Sequence, residues 1–130
     1  MDRTAKQVIV MRKDLNMRKG KMVAQGAHAS LRVILQAGTA DEAREHYSIA
    51  MTPPMAAWMT GRFMKICVSV DSEAALDAVV ERARAAGVPV ALITDAGHTE
   101  FHGVPTKTCC AVGPAWAEDV DAITGELPLL

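Results

Sequence analysis

Lys21, Gln25, His28 and Arg32 recur at helical spacing in this 130-residue chain. On an ideal helix, at about 100° per residue, they fall within about 60° of one another and so share one stripe. Val23, Ala27, Leu31 and Ile34 gather on the opposite side, which is expected to face a core. A merely solvated face usually mixes Glu and Lys four residues apart. This stripe holds a lysine, a glutamine, a histidine and an arginine, and no acid. Ahead of it runs a basic loop with a glycine, Arg12-Lys13-Asp14-Leu15-Asn16-Met17-Arg18-Lys19-Gly20. A basic loop leading into a helix N-terminus suits an anion such as phosphate, because free backbone N–H groups and the helix dipole point at it. No GxxxxGK[ST] or GxGxxG pattern is present, so the loop is neither a P-loop nor a dinucleotide fingerprint. Further along, Asp95 stands where an apolar run ends, and Thr106 and Thr108 begin the next one.

These side chains need elements to hold them. Gln7–Arg12 is a run of β-branched and apolar residues, expected as a strand covered on both faces. Lys21–Ala37 is helical and stops at Gly38. Thr39 is expected to cap a short second helix, with Asp41 and Glu42 in its first turn. Pro53-Pro54 breaks the chain, and Met55–Thr60 supplies another helical turn or two. Phe63–Val70 alternates, with Ile66, Val68 and Val70 on one face and Lys65, Cys67 and Ser69 on the other. Asp71 or Ser72 caps an amphipathic helix ending near Ala86. Val88–Thr94 and Thr106–Val112 are strands, the second ended by Gly113-Pro114, and Trp116–Ile123 is a last short helix. The order predicts a single α/β domain over residues 1–130. Its architecture is a three-layer sandwich, a small mixed four-stranded sheet with helices on both faces. The last two strands form an antiparallel pair. If the first and third strands run parallel, Asp95 emerges on the sheet edge where the first helix begins.

Composition bounds the function. Half the residues are apolar and 22% are charged, which suits a globular domain. Aromatics are only 4%, too few for a platform that stacks single-stranded bases. Net charge is −1, but residues 1–21 hold seven Lys/Arg against two acids. A general nucleic-acid coat is excluded, while one local basic site remains. Three cysteines without framework spacing read as buried free thiols in a reducing cytoplasm. No signal peptide or membrane-length apolar run is visible. His98 and His102 lie in a loop with no third ligand, so no metal is expected. Trp58 and Trp116 read as packing anchors.

Three blocks of the chain resemble the type II (archaeal and eukaryotic-type) peptidyl-tRNA hydrolase family. They are KQVIVMRKDLNMRKGKMVAQGAHAS at Lys6–Ser30, DAGHTE at Asp95–Glu100, and TCCAVGP from Thr108 to Pro114 with the ITGEL run at Ile123–Leu127 behind it. The resemblance implies hydrolysis of the ester that joins a peptide to the 3′-terminal ribose of tRNA, without metal or organic cofactor, often by a homodimer. It places the family's functional positions on Lys21, Gln25, His28, Asp95 and Thr108. The chain departs from the family at Gly26, where cysteine is common, at Pro128, where a basic residue is common, and through residues 40–62, which carry no family signature.

The expected site therefore has Lys21, His28, Asp95 and Thr108 as catalytic candidates. Arg12, Lys13, Asn16, Arg18, Lys19, Gln25 and Arg32 are candidates for holding the tRNA end, with affinity that falls steeply with salt. Lys21 is the electrophile at a developing oxyanion, or a contact to the terminal phosphate. Asp95, with Thr108, orients the water or holds Lys21. The general base is open between His28 and Asp95. Two other readings compete: a non-catalytic RNA- or protein-binding relative, and an esterase acting on another tRNA-linked ester.

Overall fold

A computed structural model describes residues 3–130. Its central sheet has the order β4-β1-β6-β5, built from β1 (Ala5–Arg12), β4 (Lys65–Val70), β5 (Val90–Asp95) and β6 (Thr106–Trp116). β1 pairs parallel with β4 and antiparallel with β6, which pairs antiparallel with β5. β1 and β5 therefore point the same way without touching, and Asp95 does end on the edge where α1 (Lys19–Leu35) begins. The mixed sheet and its helices match the expected α/β class. No helix among the described residues is long and apolar enough to cross a membrane.

Alternation along β1 divides the core. Val8 and Val10 face a cluster with Val68, Val70 and Cys110 under α3 (Glu73–Ala85) and α4 (Ala117–Thr124). Ile9 and Met11 face α1, with Ala29, Val33, Cys109 and Ala111. Ser72, not Asp71, caps α3, its side chain accepting from the Ala75 N–H at 3.0 Å. The buried Gln7 ties α1 to the sheet: its amide donates to the carbonyls of Ser30 and Gly113, and it accepts from the Ser30 hydroxyl.

Three local expectations are corrected. Residues after Gly38 form a hairpin, β2 (Gly38–Ala40) with β3 (Tyr47–Ile49), rather than a helix capped by Thr39. Gly38 lets the strands close: a Cβ there would lie 2.0 Å from the Ser48 carbonyl oxygen. Pro53 and Pro54 open α2 (Pro53–Thr60) instead of preceding it, since the first helical residues need no N–H partner. Gly113-Pro114 does not end β6, which continues to Trp116. The pairing with β1 shifts by a residue at this point, and Gly113 adopts a φ of +89°. A Cβ there would meet the Lys6 carbonyl oxygen at 2.6 Å.

A fourth correction concerns α1. Its buried stripe is Gln25, Gly26, Ala29, Val33 and Ile34. Val23 and Leu31, expected in the core, are 72% and 57% exposed, whereas Gln25 is buried. The small Gly26 and Ala29 let the helix sit close to the sheet, rotated so that it buries a seam between the two expected faces. Gly26 is not forced by space, because a Cβ would meet Ile9 and Met11 at 3.7–3.8 Å, an ordinary contact. Gly26→Ala is expected to stabilise the protein by about 1 kcal/mol, the helix-propensity difference, measured by urea unfolding. A loss of stability would show that the helix must approach β1 more closely than this. Of the thiols, Cys109 and Cys110 are buried as expected, but Cys67 is exposed on β4.

Candidate functional site

The N-terminal turns of α1, the end of β5 and the start of β6 bring four of the expected residues together. The Lys21 ammonium donates to Asp95 Oδ1 at 2.9 Å and to Thr99 Oγ1 at 2.6 Å. Gln25 Nε2 donates to the same carboxylate oxygen at 3.2 Å. The other oxygen, Oδ2, accepts the Gly97 N–H at 2.9 Å, closing an Asx-type turn at the strand end. The Thr108 hydroxyl donates to Gln25 Oε1 at 2.5 Å. Every link runs from donor to acceptor, so the chain Thr108, Gln25, Asp95, Lys21 has one self-consistent arrangement.

Thr108 reaches this chain through a β-bulge. Ile93 pairs with Cys109 and Thr94 with Lys107, which leaves Thr108 as the extra residue of β6. Strict alternation would turn Thr108 away from Cys109. At the bulge both meet α1, Cys109 through its thiol to the Gln25 carbonyl at 3.3 Å. Thr108 is fully buried, and its hydroxyl is engaged with Gln25.

The electrostatics follow from these contacts. The Asp95 carboxyl is held below its ordinary value, first by the Lys21 hydrogen bond and then by the Gly97 N–H, the lysine's charge and Gln25, against an opposing effect of burial. Both side chains are only 13–14% exposed, so the pair is poorly screened. Burial pushes the Cys109 thiol up to about 11, which keeps it protonated and inert as a nucleophile.

The remaining candidates divide. His28 and Arg32 are exposed on α1 and line a groove that opens beside Gln25 and Asp95. Arg18 and Lys19 are exposed at the helix N-terminus. Arg12 is turned inward instead: it pairs with both oxygens of Asp14, at 2.7 and 3.2 Å, and donates to the Lys107 carbonyl. Asn16 holds the loop in a left-handed turn at φ 53°, and Lys13 lies 3.9 Å from Asp71.

Three neighbours were not among the expected residues: Thr99, Glu100 and Phe101. Glu100 accepts from the Arg18 N–H at 3.4 Å and so occupies the N-terminus of α1 that an anion would otherwise fill. Phe101 lies 5.7 Å from the Lys21 ammonium. The DAGHTE block carried the signal for the first two, since a connecting loop that leaves Asp95 must pass the lysine it pairs with.

The family model Peptidyl-tRNA hydrolase PTH2 matches residues 5–130. The chain is 40% identical over 124 residues to a peptidyl-tRNA hydrolase of Haloquadratum walsbyi, covering 95% of this chain and 98% of that protein. It is 40% identical over 125 residues to one from Methanocaldococcus jannaschii, covering 96% and 99%. A solved structure of a protein of unknown function from Agrobacterium tumefaciens shares the fold at a TM-score of 0.58, with 14% identity and 97% of each chain covered. The match covers nearly the whole chain, and the chain belongs to the PTH2 family of peptidyl-tRNA hydrolases.

Proposed function

We propose that this chain hydrolyses the ester of peptidyl-tRNA at the Lys21–Asp95 pair, releasing peptide and free tRNA. The family supplies the activity. The observation that supports this location is a partly buried lysine whose ammonium is fixed by two acceptors. An ammonium has three N–H donors. Asp95 and Thr99 take two, and the third is left for the oxyanion that forms when water adds to the ester carbonyl. Asp95 is a poor proton acceptor here, with both oxygens engaged and its carboxyl acidified. Its work is to hold Lys21.

The base role then falls to His28, an exposed imidazole one helical turn from Gln25. Water loses a proton to that imidazole as its oxygen bonds to the acyl carbon, and Lys21 stabilises the oxyanion. Collapse breaks the bond to the ribose 3′ oxygen, which takes the proton back from His28. Arg18 and Lys19 lie where the phosphates of the tRNA end would approach. Arg12, committed to Asp14, shapes their loop.

A cytoplasmic homodimer belongs to the same proposal. What supports the dimer is a second, apolar groove of about 860 Å³ on the other side of α1, bordered by Val23, Leu31, Trp58, Met59 and Phe63. One preparation tests the whole reading. Incubated with N-acetylaminoacyl-tRNA and with unblocked aminoacyl-tRNA, it should hydrolyse the first far faster than the second. Light scattering should read about twice the 13.9 kDa chain mass. Binding without hydrolysis would favour a non-catalytic RNA-binding module, and equal rates would favour a general tRNA-linked esterase.

A further inference from the structure

The groove beside Gln25 and Asp95 has no role yet. It holds about 620 Å³ between α1 and β5, and Gln25 and Asp95 form one end of it. From there His28, Arg32 and Leu35 follow along the helix, each about one turn further from its N-terminus. Thr94, Ile93 and Leu92 line the opposite side. β5 is an edge strand of the sheet, with β6 its only ladder partner among the described residues. Main-chain groups on its outer side are therefore unpaired.

We propose that this groove receives the peptide moiety of the substrate as an extended segment lying along the open edge of β5. The inference rests on the ester-hydrolase reading, and three observations carry it. The first is continuity. The acyl carbon must sit at Lys21, so the chain attached to it has to leave by a channel close to that ammonium, and this one starts at Asp95, whose Oδ1 holds the ammonium at 2.9 Å. The apolar groove on the other side of α1 is larger but touches neither Asp95 nor Gln25. The second is direction. Arg18 and Lys19 stand at the N-terminal end of α1 and Leu35 at its C-terminal end, so tRNA and peptide depart oppositely from the cluster. The third is chemistry. Peptides released from tRNA differ in sequence, and an open strand edge recognises main chain while tolerating varied side chains. No Phe, Tyr or Trp lines the groove, so the His28 imidazole is the one aromatic ring it offers the tRNA 3′ bases.

The reach of the groove sets the expected result. Leu92 to Asp95 spans about 13 Å at about 3.3 Å per residue, enough for roughly four substrate residues. The experiment compares kcat/KM for N-acetylaminoacyl-tRNA with acetylated di-, tetra- and hexapeptidyl-tRNA that share one C-terminal residue. The value should rise several-fold up to the tetrapeptide and then level off. Leu35→Trp, which obstructs the far end, should bring the ratio of tetrapeptide to acetylaminoacyl substrate toward one. A measurement on the unaltered protein stands beside it. Titrating acetyl-tetrapeptide into the labelled protein should shift the amide resonances of Leu92, Ile93 and Thr94. Equal kcat/KM at all lengths overturns the proposal. So do shifts confined to Val23, Met59 and Phe63, or shifts of the β5 amides produced by a CCA trinucleotide instead. Absence of hydrolysis on every substrate would sink the ester-hydrolase reading itself, and the groove assignment with it.

Discussion

Lys21→Ala should lower turnover of peptidyl-tRNA by about 10²–10³-fold, the size expected when one preorganised oxyanion donor is lost. The fold should survive. Lys21 lies at the first turn of α1, and alanine is the strongest helix former there. The kinetic signature separates the two roles the sequence leaves open for it. If Lys21 stabilises the transition state, kcat falls and KM changes little. If it only grips the terminal phosphate, KM rises and kcat is kept. Lys21→Arg should recover little, because a planar guanidinium does not place one N–H where the ammonium did. A Lys21→Ala enzyme with unchanged kcat would remove the oxyanion role.

Asp95→Asn carries the second large effect, on activity and on stability together. The amide keeps the shape but loses the charge that fixes Lys21, so kcat should fall by about 10²-fold or more. Stability at neutral pH should fall on the order of 1.5–3 kcal/mol, the range for a hydrogen bond to a charged group. The pH dependence has a definite sign. A carboxyl held below its ordinary pKa stabilises the fold fully above the unfolded value of about 3.9, and the gain is lost as pH falls through the lower, folded value. Urea unfolding at a series of pH values should therefore show a constant gap between Asp95→Asn and wild type from neutrality down to about pH 4. Below that the gap should close. A gap that narrows already near pH 6 would mean that another group sets it.

Most of this architecture was legible in the sequence because its signals are local. The β-branched run of β1, the cap of α3 and the end of that helix near Ala86 each depend on a few neighbouring residues. The cluster was legible for a similar reason: Lys21 and Gln25 share one helix face, and Asp95 ends a strand parallel to β1. Three things were hidden. The rotation of α1 was one, since the wheel shows two faces and only the small Gly26 and Ala29, meeting the sheet, decide which seam is buried. The hairpin at Gly38 was another, because Thr39, Asp41 and Glu42 read as a helix start until Ser48 closes over the glycine. The inward turn of Arg12 was the third. Its charge looks free in the sequence, but Asp14 and the Lys107 carbonyl satisfy it in the fold.

The bulge that turns Thr108 toward Gln25 also constrains how such a chain can change. Substitution at Thr108 removes one hydroxyl and leaves the register alone. Loss of a single residue between Thr106 and Cys109 would do more. The pairing would revert to plain alternation, and the side chain just before Cys109 would point to the α3 side. Gln25 would then be left buried without its donor. Tolerance to insertions and deletions, usually highest in loops, is therefore expected to drop to nearly nothing in this one short stretch of strand.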